Sequence, residues 1–209
     1  MKNLKITFYL KTPLSLSFPW FSLDSLLMHT LLERRDDYYY LPTKVPVEVE
    51  EPPLKKWRDI YVASVSIYEG EPFVFSYYKR GDFPFPRGKI RPGSGFFKMF
   101  MLKAVYYPVR TVTFYATGDE EKLLDILSDV TTLGKECNIG FGWVQKFEIE
   151  ETDGEYGLVK DGKCMRPIPV EYLDEYEDAA MLAYKPPYWA KENIRLCAVP
   201  GSRCKLKSG

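Results

Sequence analysis

The residues best suited to chemistry in this chain are cations interleaved with phenylalanine rings. Between Lys79 and Arg110 lie eight basic residues: Lys79, Arg80, Arg87, Lys89, Arg91, Lys98, Lys103 and Arg110. One acid, Asp82, accompanies them, and Phe83, Phe85, Phe96 and Phe97 fall among them. Lysine and arginine neutralise phosphates and release counterions, while rings stack on unpaired bases. Arginine does both through its planar guanidinium. The segment points to RNA contact. The competing account is a solvated basic loop whose phenylalanines pack onto the body. The Pro and Gly residues of 79–98 stiffen and re-aim the chain, which favours a projecting, functional segment.

A second run, Gly134-Lys135-Glu136-Cys137-Asn138-Ile139-Gly140-Phe141-Gly142-Trp143, is rich in glycine. Glycines let backbone approach a phosphate, and successive N–H groups can form an anion-binding nest. No G-K-[ST] follows at the P-loop spacing. The run also lies after a helix pattern and before a strand pattern, the reverse of a dinucleotide-binding turn. A plain helix cap at Gly134 with bulges at Gly140 and Gly142 explains the same residues equally well.

His29 is the only histidine. Metal-independent RNA cleavage needs a base for the 2′-OH proton and an acid for the leaving oxygen. His29 is the candidate base, but no second residue is tied to it by spacing. A half-buried helix residue beside Met28 is the competing account. Asp24 suits the first turn of a helix, where negative charge is favoured. The acids from Glu171 to Asp178 show no metal spacing. Cys137, Cys164, Cys197 and Cys204 lack C-x-x-C spacing, so reduced, buried thiols are expected and no metal site or cofactor is.

These residues need a scaffold. With 45% apolar residues in 209, a sizeable core is within reach. The 29 basic and 29 acidic residues balance, so a global electrostatic case for nucleic acid fails and only a local one is possible. Outside 79–110 the chain holds 21 basic and 28 acidic residues, which concentrates positive charge on that segment. No apolar run reaches the roughly 18–20 residues of a membrane span, and no signal peptide is apparent, so a cytoplasmic chain with no membrane partner is expected.

Leu4–Leu10 alternates as a half-buried strand. Ser22 is placed to cap a helix over 23–32, with Arg34 and Arg35 at its C-terminal end. Tyr61–Tyr68 reads as a strand that turns at Glu69-Gly70 into Phe73–Tyr78, a hairpin. Val109–Tyr115 is a further strand. Thr117 and Glu120 fit a capping box for a helix with Leu123, Leu124, Leu127 and Val130 on its apolar stripe. Trp143–Glu150 is the next strand, and Asp161-Gly162 signals a tight hairpin. The expected class is α+β: a ferredoxin-like (RRM-like) β-α-β-β-α-β domain over 1–150. A basic thumb-like insertion occupies 79–103, and residues 151–209 form a hairpin and irregular C-terminal extension on the same core. Such a sheet leaves one face open to a ligand or partner.

With those residues in view, the chain resembles the RAMP superfamily of CRISPR-associated proteins. The glycine-rich turn resembles its signature loop, and Ser22-Leu23-Asp24-Ser25-Leu26-Leu27 is similar to its early helix motif. Met165-Arg166-Pro167-Ile168-Pro169 and Lys185-Pro186-Pro187-Tyr188-Trp189 resemble the type IV member of the Cas-five group. The resemblance implies a non-catalytic subunit that caps the 5′ handle of a guide RNA. It implies RNA contacts at Lys79, Arg80, Phe83, Phe85, Arg87, Lys89, Arg91 and Lys98. It extends them to Gly134, Lys135, Asn138, Gly140, Gly142, Trp143 and Arg166. Tyr188 and Trp189 are rigid anchors for a partner. The implied partners are guide RNA, repeating backbone subunits and other subunits of the complex, with target DNA near the guide 5′ end as a further contact. Two alternatives stay open: a guide-processing endoribonuclease using His29, and a protein assembly module without RNA contact.

Overall fold

The computed structural model describes residues 1–38, 47–79, 93–94 and 98–207. The segment carrying Arg80, Phe83, Phe85, Arg87, Lys89 and Arg91 lies outside the described residues.

The central element is β1 (Lys2–Leu10), whose alternation buries Leu4, Ile6, Phe8 and Leu10 and turns Lys5, Thr7 and Tyr9 outward. The two-residue β2 (Leu14–Ser15) follows in the chain, then α1 (Leu23–Glu33). Strands β3 (Lys56–Trp57) and β4 (Ile60–Tyr61) make a short ladder. Next come β5 (Phe73–Lys79), β6 (Phe100–Tyr107), β7 (Thr111–Gly118), α2 (Glu120–Leu127) and β8 (Val144–Glu151). In the central sheet β1 lies between β7 and β8, antiparallel to both. Antiparallel bridges Leu54–Gly118, Ala63–Ala116 and Ile67–Thr113 add the 54–67 segment beyond β7. Leu23 and Leu27 of α1 and Leu123, Ile126 and Leu127 of α2 join the core beneath the inward residues of the sheet. Phe8 and Phe114 meet edge to face there, 6.0 Å between centroids.

The remainder is a set of short ladders: β9 (Val159–Lys160) with β10 (Lys163–Cys164); β11 (Ile168–Pro169) and β13 (Ala179–Ala183) flanking β14 (Ile194–Ala198); and β12 (Leu173–Tyr176) with β15 (Cys204–Leu206). Their core holds Leu158, Cys164, Ile168, Leu173, Tyr184, Cys197 and Cys204. One segment serves both cores by alternation. Tyr61 and Ala63 enter the first, Ile60 and Val62 the second.

Several expectations are corrected. Tyr61–Tyr68 is no hairpin partner of Phe73–Tyr78. Its backbone is shared between Thr113 and Tyr115 of β7, Phe21 and Leu23 before and in α1, and Met165. Phe73–Lys79 instead pairs with Phe100–Tyr107. The cap of α2 is Asp119, which accepts from the Lys122 N–H, whereas the Thr117 hydroxyl is spent on Asn3. Leu124 is exposed, and Ile126 takes its place in the core. The acids around 171–178 fall on a short turn and β12. Cys164 and Cys204 form a disulfide, their Cα atoms 5.8 Å apart, because β10 and β15 lie side by side. Cys137 and Cys197 are free thiols. The Asp161-Gly162 hairpin is present, both residues at positive φ.

Candidate nucleic-acid interface

The β5–β6 hairpin is exposed along nearly its whole length. Opposed residues of a ladder share a face. On one face stand Phe73, Phe75, Tyr77, Phe100, Leu102 and Tyr106. On the other stand Val74, Tyr78, Met101, Lys103 and Val105. Val74 is 62% exposed and Met101 63%, which is unusual for a solvated ribbon with apolar side chains on both faces. Strand β2 pairs with β6 at the hairpin base. Lys79 and Lys98 lie at the start and end of its connecting segment, and Lys98 is exposed.

The glycine-rich loop fastens onto the first face. Phe141 meets Tyr106 at 5.8 Å and Phe75 at 6.3 Å between ring centroids, and the Tyr77 hydroxyl donates to Glu136. The loop's shape is imposed by two close approaches. Gly134 sits at φ 82°, and a Cβ there would lie 2.4 Å from the Ser15 carbonyl oxygen. Gly142 sits at φ 68°, and a Cβ there would lie 1.8 Å from the Leu133 carbonyl oxygen. Gly140, at φ 103°, has open space around it. We therefore expect Gly140→Ala to cost about 1–2 kcal/mol from backbone conformation alone. Gly142→Ala must also displace a carbonyl, so its thermal melt should fall well below that of Gly140→Ala. Equal melting temperatures would show that the loop tolerates repacking.

The anion nest suggested by the glycines is mostly spent inside the protein. The N–H groups of Lys135, Ile139, Gly140, Phe141, Gly142 and Trp143 donate to Ser15, Glu136, Cys137, Glu136, Pro13 and Thr12 respectively. Three side chains remain for a ligand: Lys135 and Asn138, both exposed, and Trp143, 50% exposed with its indole N–H on the Cys137 carbonyl.

Beside this loop lies a cleft of about 600 Å³. Lys135 and Gly134 line one side, Ser25 and His29 of α1 another, and Phe18 and Trp20 a third. The His29 side chain is more than half exposed. Its Nε2 lies 3.4 Å from Glu33, one turn on, and its ring meets Tyr38. Phe18 and Trp20 stack edge to face at 4.6 Å. Composition and charge do not single them out, although a Phe-Pro-Trp-Phe run between a strand and a helix is a usable signal for surface rings.

Two expected site residues are turned inward. Arg166 is fully buried, so its assignment as an RNA contact is corrected. Its guanidinium donates to the carbonyls of Tyr61, Ala63 and Tyr184, to the Tyr188 hydroxyl and to Asp24 at 3.2 Å. Tyr188, expected at a partner interface, turns its hydroxyl inward onto Asp24 at 2.8 Å. Burial pushes that hydroxyl far above the usual phenol range, so it stays a donor. Asp24 thus serves a buried ion pair rather than only a helix start. Trp189 is 61% exposed and remains open to a partner. Among the described residues no group of His, Cys, Asp and Glu side chains is arranged to hold a metal ion, and no helix is long and apolar enough to cross a membrane.

No curated protein matches the chain. The profile of a family described as CRISPR type IV associated protein Csf3 matches residues 79–200, more than half of the sequence. That span takes in β6, the glycine-rich loop and most of the C-terminal ladders. The chain belongs to the Csf3 family of CRISPR type IV associated proteins.

Proposed function

We propose that this chain is a non-catalytic subunit of a type IV CRISPR complex that holds the 5′ handle of the guide RNA. The observation that carries the proposal is the juxtaposition of Lys135, Trp20 and Phe18 in one cleft, beside a hairpin whose described strands end near Lys79 and Lys98. Cations for phosphates and rings for bases are the two elements of single-strand binding. The second face of the hairpin, with Val74, Met101 and Val105 in solvent, suits a neighbouring protein subunit. The wider assignment to the RAMP superfamily and its Cas-five group is supported by the strand order. The support is that β8, β1, β7 and the 54–67 segment lie side by side with both helices in one core, the order that a ferredoxin-like fold would require. Target DNA near the guide 5′ end is a further contact of this proposal. The test is the RNA content of the natively purified protein and its loss when the cleft and hairpin cations are reversed.

A guide-processing ribonuclease is the second reading, and one observation favours it. Lys135 and His29 line the same cleft from different sides, a juxtaposition that spacing along the chain does not reveal. Against it, the acid beside the imidazole is Glu33 of the same helix, 3.4 Å from Nε2, and among the described residues no hydrogen bond or ion pair joins the ring to a group across the cleft. We expect repeat RNA incubated with the protein in a chelator to stay intact. Cleavage that vanishes in His29→Ala would reverse the choice.

A further inference from the structure

A second cleft, of about 610 Å³, lies on the outward face of the central sheet. Its floor is the cross-strand pair Lys5 and Tyr115 with Thr113. One wall is the β9–β10 hairpin carrying Lys160 and Lys163, and the opposite wall is Trp20 and Tyr68. Lys160 Nζ donates to the Tyr115 hydroxyl at 2.6 Å and lies over the Tyr115 and Tyr156 rings. It has no carboxylate partner among the described residues, and neither has Lys163. By contrast Lys2, Lys5, Lys55, Lys56, Lys146 and Lys185 are each paired with an acid. Asp161 is the one acid on the cleft wall. On a chain of zero net charge, two uncompensated lysines facing a ring-lined hollow of this size mark a site for an anion that carries a flat, apolar part.

We propose that this cleft binds one nucleotide unit of a single strand, its base against Tyr115 and Trp20 and its phosphate at Lys160 and Lys163. This deepens the proposal of RNA binding and rests on it for the identity of the strand. Trp20 lines both this cleft and the one beside the glycine-rich loop. A strand leaving the loop therefore meets this cleft on rounding residues 18–21.

The probe is a tetrauridylate bearing 5-iodouridine, too short to bridge from the hairpin tip, cross-linked by light to the full chain and mapped by mass spectrometry. Adducts are expected on Tyr115 or Trp20. Lys160→Glu with Lys163→Glu should weaken tetrauridylate binding roughly tenfold. Lys163→Glu alone, at an exposed position, should show part of that loss with an unchanged melt. Lys122→Glu, at an exposed position on α2, should leave it unaltered. Adducts confined to the glycine-loop cleft, or full affinity in the double variant with its fold intact, would overturn the site while leaving the guide-RNA proposal standing. Native protein free of RNA would instead remove that proposal, and adducts at Tyr115 would still stand as a nucleotide site.

Discussion

Lys98→Glu, Lys103→Glu and Lys135→Glu together are expected to strip the natively purified protein of its RNA. All three side chains are exposed, and none has an ion-pair partner among the described residues. Reversal therefore costs the fold little. Each cation that neutralises a phosphate of a single strand contributes about 0.7 to the slope of log affinity against log salt. If all three do so, the slope should flatten by about 2. Affinity at moderate salt should fall on the order of a hundredfold, since each lost charge also becomes a repulsive one. The measurement is a salt titration of handle RNA binding with wild type and variant side by side, with a melt to confirm the fold. An unchanged slope would mean that these cations are spectators. The hairpin would then be an apolar docking element, as its exposed Val74, Met101 and Leu102 would suggest by themselves.

The parts of the molecule legible in the sequence are those governed by local rules. Alternation in β1 and helical spacing in α1 reflect one-sided burial, and Asp161-Gly162 has the conformation a tight turn requires. The parts that were misread depend on partners distant in sequence. Tyr61–Tyr68 has strand composition, yet residues 60–66 are all buried, because that segment is shared by two cores. A hairpin with its next apolar run was the locally economical answer. Gly70 suits a turn, but a Cβ there would lie 2.8 Å from Val109, so close packing accounts for the glycine equally well. The Cys164–Cys204 pair spans 40 residues with no spacing signal. For the candidate interface, the glycines draw attention to Lys135 and Trp143, both exposed. They do not locate the cleft, whose walls come from α1, residues 16–21 and the loop.

Arg166 shows how the same difficulty decides between two roles for one residue, and Arg166→Met is the second large effect expected. An arginine near a Pro-rich segment in a CRISPR-associated family invites a phosphate contact. Its actual place, enclosed with Asp24 and Tyr188, makes it a tie between α1, the 61–63 segment and the C-terminal ladders. Removing one partner of a buried pair leaves the other charged and undercompensated, at a cost of about 3–5 kcal/mol. In a chain of this size that lowers the melting temperature by roughly 10 °C. Arg166→Lys should not rescue it, because an ammonium lacks the planar fork that reaches three carbonyls and a carboxylate. Tyr188→Phe removes one donor to Asp24 and should cost about 1–3 kcal/mol. Arg166→Met with Asp24→Leu should recover part of the loss, since the pair is then replaced by apolar groups. RNA binding measured well below the melt separates the two roles: a positioning tie leaves affinity and salt slope at the wild-type values. A phosphate contact would flatten the slope while the melt stays put, and that outcome would mean Arg166 reaches solvent in the assembled complex.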